Sequence, residues 1–155
     1  MSSHQTSKLK IYQTLEKQWN SLIQNPMPWP SALSTLISIL KSELKYVSWV
    51  GFYELRGEDL WIGPYQGKLA CVHIPQGKGV CGASVSENKA MIVADVHSFE
   101  GHIACDPLSR SEIVVPVYRK GILWGVLDLD SYEPSAFDAI DQIFIQKFLK
   151  EIETF

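Results

Sequence analysis

The chain contains 155 residues, of which 46% are hydrophobic and 20% are charged, a size and composition typical of one globular domain with its own core. Its formal net charge of -3 provides no basic field to attract a phosphate backbone, so we expect no nucleic-acid partner. The first 25 residues contain no apolar run of the signal-peptide kind, and no run of about 18 apolar residues could span a membrane, which favours a cytoplasmic location.

Two amphipathic helices are predicted at the start of the chain, over residues 5–45. Apolar residues recur at steps of three and four in both segments, as they do on the buried face of a helix. The prolines of Asn25–Pro30 separate the two helices, and Ser31 is the predicted N-cap of the second. The apolar positions are Leu9, Tyr12, Leu15, Trp19 and Leu22 in the first helix and Leu33, Leu36, Ile37 and Leu40 in the second.

Strands are predicted from Tyr46 onward, where β-branched and aromatic residues replace the helical spacing. Turns at Gly57–Asp59 and Arg119–Gly121 each join two strands into a hairpin. A glycine-rich turn at Gly77–Gly82 leads into a short helix over residues 83–88. The predicted strands are Tyr46–Tyr53, Leu60–Ile62, Leu69–Ile74, Met91–Val93, Glu112–Tyr118 and Ile122–Asp130.

The remaining segments are a long polar loop and a closing helix. Residues Asp95–Ser111 lose hydrophobic periodicity, and long polar loops on rigid scaffolds often carry function. Apolar residues at helical spacing predict a last helix over residues 136–153. This order of elements predicts an α+β domain with a mostly antiparallel sheet of about six strands, in which residues 46–131 supply the sheet and the site loops.

The three cysteines, Cys71, Cys81 and Cys105, are the first candidates for chemistry. Their odd number argues against the disulfide framework of a secreted domain, and their isolated spacings match no zinc-ligand pattern, so no metal is predicted. Cys105 lies in the polar loop near His102 and Arg110, where a thiol is accessible and its pKa can be tuned. Cys71 lies in an apolar run and could equally be a small packing residue.

Three carboxylates form the second candidate cluster. Asp128 and Asp130 point to the same face of their strand, and a hairpin with the preceding strand would bring Glu112 beside them. Such a cluster can bind an ammonium group, and mutual repulsion can keep one carboxyl protonated as a general acid. The alternative is that these strand-end acids simply face water. Trp49 and Tyr53, two aromatic residues on one strand face, belong either to the core or to the same pocket.

Five segments of the chain together resemble the free methionine-(R)-sulfoxide reductase family, a group of GAF domains. The segments are SWVGFY, GPYQGKLACVHIPQGKGVCG, VADVH, GHIACDPLSRSEIVVPV and GVLDLDS. The match extends from about Val47 to Ser131, and the segments include all three cysteines, the three acids and both aromatic residues. The resemblance implies a single GAF domain over residues 1–155. It also implies an oxidoreductase that converts free L-methionine (R)-S-oxide to L-methionine without a cofactor.

The same resemblance implies a role for each candidate residue. Cys105 would attack the sulfoxide sulfur while an acid protonates the departing oxygen, and Cys71 or Cys81 would resolve the resulting sulfenic acid to a disulfide. Thioredoxin would reduce that disulfide. The family, together with the aromatic N-terminal helices, suggests a homodimer. The residues that would line the substrate pocket are Trp49, Tyr53, Glu112, Asp128 and Asp130.

Two other functions stay open at this point. GAF folds often hold a small ligand such as a cyclic nucleotide, although the acid cluster would repel a phosphate. The three cysteines could instead form a redox switch that turns over no substrate, because a switch and an enzyme both need accessible thiols. Multiple turnovers with a dithiol reductant would separate the enzyme from the switch.

Overall fold

The structure, a computed structural model that describes residues 1–155, contains four α-helices and six strands. The helices are Ser3–Leu22 (α1), Trp29–Glu43 (α2), Gly79–Glu87 (α3) and Ala139–Ile152 (α4). The strands are Trp49–Arg56 (β1), Asp59–Gln66 (β2), His73–Ile74 (β3), Met91–Val93 (β4), Ser111–Arg119 (β5) and Ile122–Ser131 (β6). They form one antiparallel sheet in the order β3-β2-β1-β6-β5-β4, which confirms the predicted α+β class. None of the helices combines the length and hydrophobicity that crossing a membrane requires.

Two hairpins make up the centre of the sheet. Gly57 in the β1–β2 turn has a φ of 66°, and Lys120 and Gly121 between β5 and β6 have φ values of 51° and 78°. In the β5–β6 turn both central residues have positive φ, which is typical of a type I′ turn, whereas in the β1–β2 turn only the first does, which is typical of a type II′ turn. The twist of both turn types matches that of the flanking strands. Strand β1 also pairs with β6, so the two hairpins lie side by side and Trp49 lies opposite Asp130.

The larger core lies on the sheet face that α1, α2 and α4 cover. Because side chains alternate along a strand, Val50 and Phe52 of β1 point into this core, whereas Trp49 and Tyr53 point to the opposite face. A smaller apolar cluster on that opposite face packs against α3 and parts of the neighbouring loops. The alternation along β1 therefore separates a helix-covered core from a face that is available for a site.

One predicted strand is much shorter in the structure. The run Leu69–Ile74 contributes only β3, because β3 is an edge strand that pairs with Leu60 and Trp61 alone. Leu69 is 86% exposed, so the apolar residues that suggested a strand do not enter the core. Residues 67–72 instead form an irregular segment that carries Cys71. A smaller difference is that β1 begins three residues later than predicted.

All four helices begin at residues other than those predicted, and α1 begins at Ser3 instead of residue 5. Pro28, not Ser31, is the N-cap of α2, and Pro30 lies in its first turn, where the missing N–H of proline has no helical partner to lose. Helix α3 begins at residue 79 instead of 83, because the glycine-rich turn itself winds into the helix. Helix α4 begins at residue 139, where the side chain of Asp138 accepts a hydrogen bond from a free backbone N–H.

A buried ion pair joins the first helix to the last. Lys8 Nζ lies 2.6 Å from Asp141 Oδ2 and 2.8 Å from the carbonyl oxygen of Ala136, and only 3% of Lys8 is exposed. Tyr12 and Tyr46 donate hydrogen bonds of 2.8 and 2.6 Å to the other oxygen of Asp141. Removal of Lys8 or of Asp141 would leave its buried partner without the opposite charge, so the two residues depend on each other.

Replacement of the buried lysine should destabilise the fold strongly. In Lys8→Met, the carboxylate of Asp141 stays buried without its cation, and the free energy of unfolding should fall by about 3–5 kcal/mol. Urea denaturation followed by circular dichroism measures this difference. The matched control is Lys10→Met on the exposed side of the same helix. Equal unfolding midpoints for the two variants would contradict a structural role for the ion pair.

Candidate active site

A pocket opens on the sheet face that carries α3, between the irregular segment 67–72 and the polar loop over residues 95–110. Its lining includes seven of the eight predicted site residues, namely Trp49, Tyr53, Cys81, Cys105, Glu112, Asp128 and Asp130. The eighth, Cys71, is bonded to Cys105 at the edge of the pocket. Residues that are as much as 81 positions apart in the chain therefore meet at one place.

Two of the three cysteines form a disulfide. Cys71 and Cys105 are bonded, with their Cα atoms 5.5 Å apart and a sequence separation of 34. Cys105 is exposed, Cys71 is half-buried, and the polar loop and the irregular segment each contribute one of the two. Cys81 is a free, buried thiol in the first turn of α3. The third cysteine therefore has a different environment from the bonded pair.

The three carboxylates converge as the hairpin predicted. In the β5–β6 pairing, Glu112 lies opposite Asp130, and Asp128 is two residues away on the same face. Burial raises the pKa of Glu112 and of Asp130 well above the usual range, and the nearby charge of Asp128 adds to both shifts. Burial also raises the pKa of Asp128 to about 6, against the opposing effect of hydrogen bonds from Glu112 and Cys81.

These carboxyl groups hold at least one proton at neutral pH. Burial raises the pKa of both Glu112 and Asp128, and one carboxyl oxygen of each lies within 4.8 Å of the other, so charge repulsion disfavours ionisation of both groups. The Cys81 thiol donates to Oδ2 of Asp128 at 3.5 Å, and Oδ1 of Asp128 is buried without an N–H or hydroxyl donor. Asp128 accepts from the thiol and its pKa is raised to about 6, whereas burial raises the pKa of Glu112 well above its usual range, so Glu112 is the carboxyl that keeps a proton at neutral pH.

The side chains of Cys81, Glu112 and Asp128 form the cluster that most resembles a metal site. Cys81 Sγ and one oxygen each of Glu112 and Asp128 lie within 4.8 Å of one another. Burial, with the nearby charges of Asp128 and Glu112, raises the pKa of the Cys81 thiol well above its usual value. A protonated thiol donates a hydrogen bond, whereas a metal needs the thiolate. The cluster therefore fits proton sharing better than metal binding.

The two aromatic candidates, Trp49 and Tyr53, pack through their rings and donate hydrogen bonds through their polar atoms. Trp49 is 8% exposed and Tyr53 is 2% exposed, and their ring centroids are 6.1 Å apart. Trp49 Nε1 donates to the carbonyl oxygen of Lys68 at 3.1 Å, and the Tyr53 hydroxyl donates to that of Cys71 at 2.9 Å. A Cβ at Gly51, between them on the strand, would lie 2.1 Å from the Trp49 ring, so only glycine leaves room for the indole.

The sequence did not reveal three residues beside the disulfide. Asp106 Oδ2 accepts a hydrogen bond of 2.9 Å from the Tyr132 hydroxyl and lies 4.0 Å from Lys68 Nζ, which sits above the Tyr132 ring. Asp106 and Lys68 line the pocket. Charged loop residues of this kind have no periodicity that distinguishes them from solvated ones, so no sequence signal could have identified them.

Of the two residues expected to tune Cys105, only one lines the pocket. His102 does, and burial lowers the pKa of its imidazole, with His97 adding to the effect, so the ring is neutral near pH 7. Arg110 instead lies 3.8 Å from Asp95, outside the pocket lining. The structure therefore favours His102 over Arg110 as the neighbour of Cys105, because the Arg110 guanidinium is directed to Asp95.

The comparisons with known proteins agree over nearly the whole chain. The profile of the GAF domain family matches residues 30–154. The free methionine-R-sulfoxide reductase of Escherichia coli is 39% identical over 147 residues, which make up 95% of this chain and 89% of that protein. The predicted resemblance is confirmed at the level of sequence.

Two solved structures support the same family assignment. The free methionine-R-sulfoxide reductase of Neisseria meningitidis, in complex with its substrate, has a TM-score of 0.87 at 37% identity, covering 94% of this chain and 88% of that one. The reduced form of the fRMsr of Staphylococcus aureus has a TM-score of 0.86 at 47% identity, covering 92% of each chain. On its sequence and its fold alike, the chain belongs to the free methionine-R-sulfoxide reductase family of GAF domains.

Proposed function

We propose that the chain reduces the R-sulfoxide of free methionine to methionine by thiol chemistry. The observation that carries this proposal is the Cys71–Cys105 disulfide, which lies at the edge of a pocket lined by two buried carboxyl groups and a half-buried one. The pocket thus combines a thiol that can attack sulfur with an acid that can protonate the oxygen being lost. The free methionine-R-sulfoxide reductases described above match nearly the whole chain, which supports free methionine sulfoxide as the substrate.

Cys105 is the attacking cysteine. Its thiolate bonds to the sulfoxide sulfur, and the oxygen takes up a proton. The sulfur–oxygen bond and the new sulfur–sulfur bond then break as the hydroxyl group passes to Cys105 and methionine leaves. The products are methionine and a Cys105 sulfenic acid, so the substrate gains the two electrons that the thiol loses. The exposed position of Cys105 and its place in the pocket lining support this role.

Glu112 is the acid that protonates the oxygen. The pKa of its buried carboxyl is raised well above the usual range, so it retains a proton at neutral pH that it can release to a developing oxyanion. Asp128, which has a carboxyl oxygen within 4.8 Å of one of Glu112, accepts a hydrogen bond from the protonated Glu112 and keeps that proton in place. Transfer of the proton would leave Glu112 and Asp128 both ionised. The proton that restores Glu112 for the next turnover must come from solvent or from a thiol.

Cys71 is the resolving cysteine, and Cys81 has another role. The Cys71 thiol displaces water from the Cys105 sulfenic acid and forms the disulfide, a pairing supported by the 5.5 Å separation of the Cα atoms. Cys81 is buried, its pKa is raised, and its thiol donates to Asp128. It therefore acts as a hydrogen-bond donor to the acid pair and takes no part in electron transfer.

The substrate binds through its two ends and its side chain. Asp130, two residues from Asp128 on the pocket face, binds the ammonium group, whose positive charge favours ionisation of this carboxyl, and the rings of Trp49 and Tyr53 contact the apolar part of methionine. Backbone N–H groups in the loops around Cys81 and Cys105 bind the carboxylate. A sulfoxide within a peptide offers neither charged end, so the free amino acid is the substrate.

Several wider properties belong to the same proposal. The 155 residues act as one GAF domain in the cytoplasm, and thioredoxin supplies the dithiol that reduces the Cys71–Cys105 disulfide after each turnover. The chain acts as a homodimer. Its interface must lie elsewhere than on the aromatic residues of α1 that suggested it, because Tyr12 and Trp19 are fully buried within one chain.

Replacement of each cysteine in turn should separate the three roles. Reduced protein is mixed with excess free methionine (R)-sulfoxide and no reductant, and methionine, disulfide and sulfenic acid are counted per chain. Cys105→Ser should give no methionine. Cys71→Ser should give one methionine per chain and leave a sulfenic acid that dimedone traps, whereas Cys81→Ser should give one methionine and the Cys71–Cys105 disulfide.

The outcome for Cys71→Ser is decisive for the resolving role. An intramolecular disulfide in that variant would assign the role to Cys81 instead. Disulfide formation without any methionine in the unmodified chain would indicate a redox switch, and neither product would indicate a ligand-binding GAF domain.

The buried acid cluster should make the protein less stable as the pH rises. Because the folded-state pKa of Asp128 is raised to about 6, its ionisation opposes folding with an effect that is absent below pH 4 and complete above pH 6. Asp128→Asn removes this effect. The unfolding free energy of the variant relative to the parent should therefore rise by about 1–3 kcal/mol between pH 4 and 7, since one pKa unit corresponds to about 1.4 kcal/mol.

This prediction is tested by urea denaturation of the disulfide form at several pH values. Glu58→Gln, which changes an exposed carboxyl in the β1–β2 turn, is the control. A difference between Asp128→Asn and the parent that stays constant or shrinks with rising pH would mean that Asp128 ionises without cost.

A further inference from the structure

We propose that the polar atoms of Trp49 and Tyr53 hold the segment that carries Cys71, so that these two side chains act as positioning residues for disulfide formation. The inference rests on the proposed function for the identity of the two reacting cysteines. It adds a role to side chains that otherwise contact substrate through their rings. The pair of hydrogen bonds, from Trp49 Nε1 to the Lys68 carbonyl and from the Tyr53 hydroxyl to the Cys71 carbonyl, is called the aromatic clamp below.

The segment that the clamp holds makes no backbone–backbone hydrogen bonds over residues 68–71. Residues 67–72 lie between β2 and β3 in neither a helix nor a strand. The next backbone–backbone hydrogen bond along the chain joins Ile62 N–H to the Val72 carbonyl. Leu69 is 86% exposed, and only the half-buried Ala70 and Cys71 pack against the smaller apolar cluster. The two bonds of the clamp are therefore the hydrogen bonds that fix the backbone at Cys71.

The donors of the clamp are held rigidly. Trp49 and Tyr53 belong to β1, which pairs with a strand on either side. A Cβ at Gly51 would lie 2.1 Å from Trp49 Cη2, and one at Gly67, whose φ is +133°, would lie 2.5 Å from Trp49 Cδ1. Glycine on both sides thus lets the indole lie close to the backbone with its N–H directed at Lys68. Burial keeps the Tyr53 phenol protonated, so it remains a donor across the ordinary pH range.

The position of Cys71 matters because the Cys105 sulfenic acid must meet a second thiol quickly. A disulfide forms only when the Cα atoms come within roughly 7 Å, and the observed separation is 5.5 Å. A segment without the clamp samples many positions, which lowers the effective concentration of the Cys71 thiol. The sulfenic acid then persists and becomes open to further oxidation. The clamp therefore acts on the resolving step through Cys71.

The test isolates this step by using hydrogen peroxide in place of the sulfoxide. Peroxide converts the Cys105 thiol to a sulfenic acid and water, and the Cys71 thiol then displaces a second water to form the disulfide. Tyr53→Phe removes one hydroxyl and keeps the ring. Reduced parent and variant are oxidised with equal peroxide, quenched at successive times, and analysed by mass spectrometry for disulfide and for sulfenic acid trapped with dimedone.

The clamp predicts that disulfide formation from the sulfenic acid slows about fivefold in Tyr53→Phe, the effect of one lost hydrogen bond, with a matching rise in dimedone adduct. Trp49→Phe, which lacks the indole N–H, should change the same ratio. The control Tyr65→Phe should match the parent, because Tyr65 stacks on Trp49 at 5.6 Å and its hydroxyl makes no hydrogen bond to the segment. A thermal unfolding midpoint for each variant excludes general destabilisation as the cause.

The result that overturns the inference is a parental ratio of disulfide to sulfenic acid in Tyr53→Phe. A ratio that changes equally in Tyr65→Phe also overturns it, because the effect would then come from the aromatic packing and not from the hydroxyl. Because peroxide replaces the substrate, this test does not depend on sulfoxide reduction. Failure of the chain to reduce methionine sulfoxide would count against the proposed function, but the ratio of disulfide to sulfenic acid after peroxide treatment would still test the clamp.

Discussion

The register of the β5–β6 hairpin is the constraint on which the site depends. It sets Glu112 opposite Asp130 and Val114 opposite Asp128, so three carboxyl groups project from one face into a buried pocket. A slip of one residue would turn the side chains of one strand to the other face and break the cluster. The positive φ values at the two turn residues fix the hairpin geometry, and the pairing of β1 with β6 then brings the aromatic side chains beside the acids.

The two faces of the sheet have opposite energetic roles. On the helix-covered face, the buried charge of Lys8 is matched by Asp141, and the apolar residues of α1, α2 and α4 stabilise the fold. On the other face, burial raises the pKa values of Glu112, Asp128 and Asp130, so their ionisation opposes folding. The stability of the first face allows the second to keep a carboxyl that holds its proton at neutral pH, which proton transfer to a sulfoxide requires.

The sequence was informative wherever a periodic pattern or a short turn determined the structure. The convergence of Glu112 on Asp128 and Asp130 could be predicted from strand alternation and one tight turn. The pairing of Cys71 with Cys105 could not, because both residues lie in irregular segments whose paths depend on tertiary contacts. Side-chain hydrogen bonds, such as those of the clamp and of Cys81 with Asp128, leave no pattern in one sequence either. The family resemblance indicated which residues matter, and the geometry shows what each one contacts.

The measurement that tests the central claim most directly is methionine formation from the separate R and S isomers of free methionine sulfoxide, with the unmodified chain and dithiothreitol as reductant. The account predicts many turnovers of the R isomer and none of the S isomer, because the sulfur must present one face to Cys105 while its oxygen meets the acid cluster. Absence of methionine from both isomers, or equal turnover of the two, would contradict it.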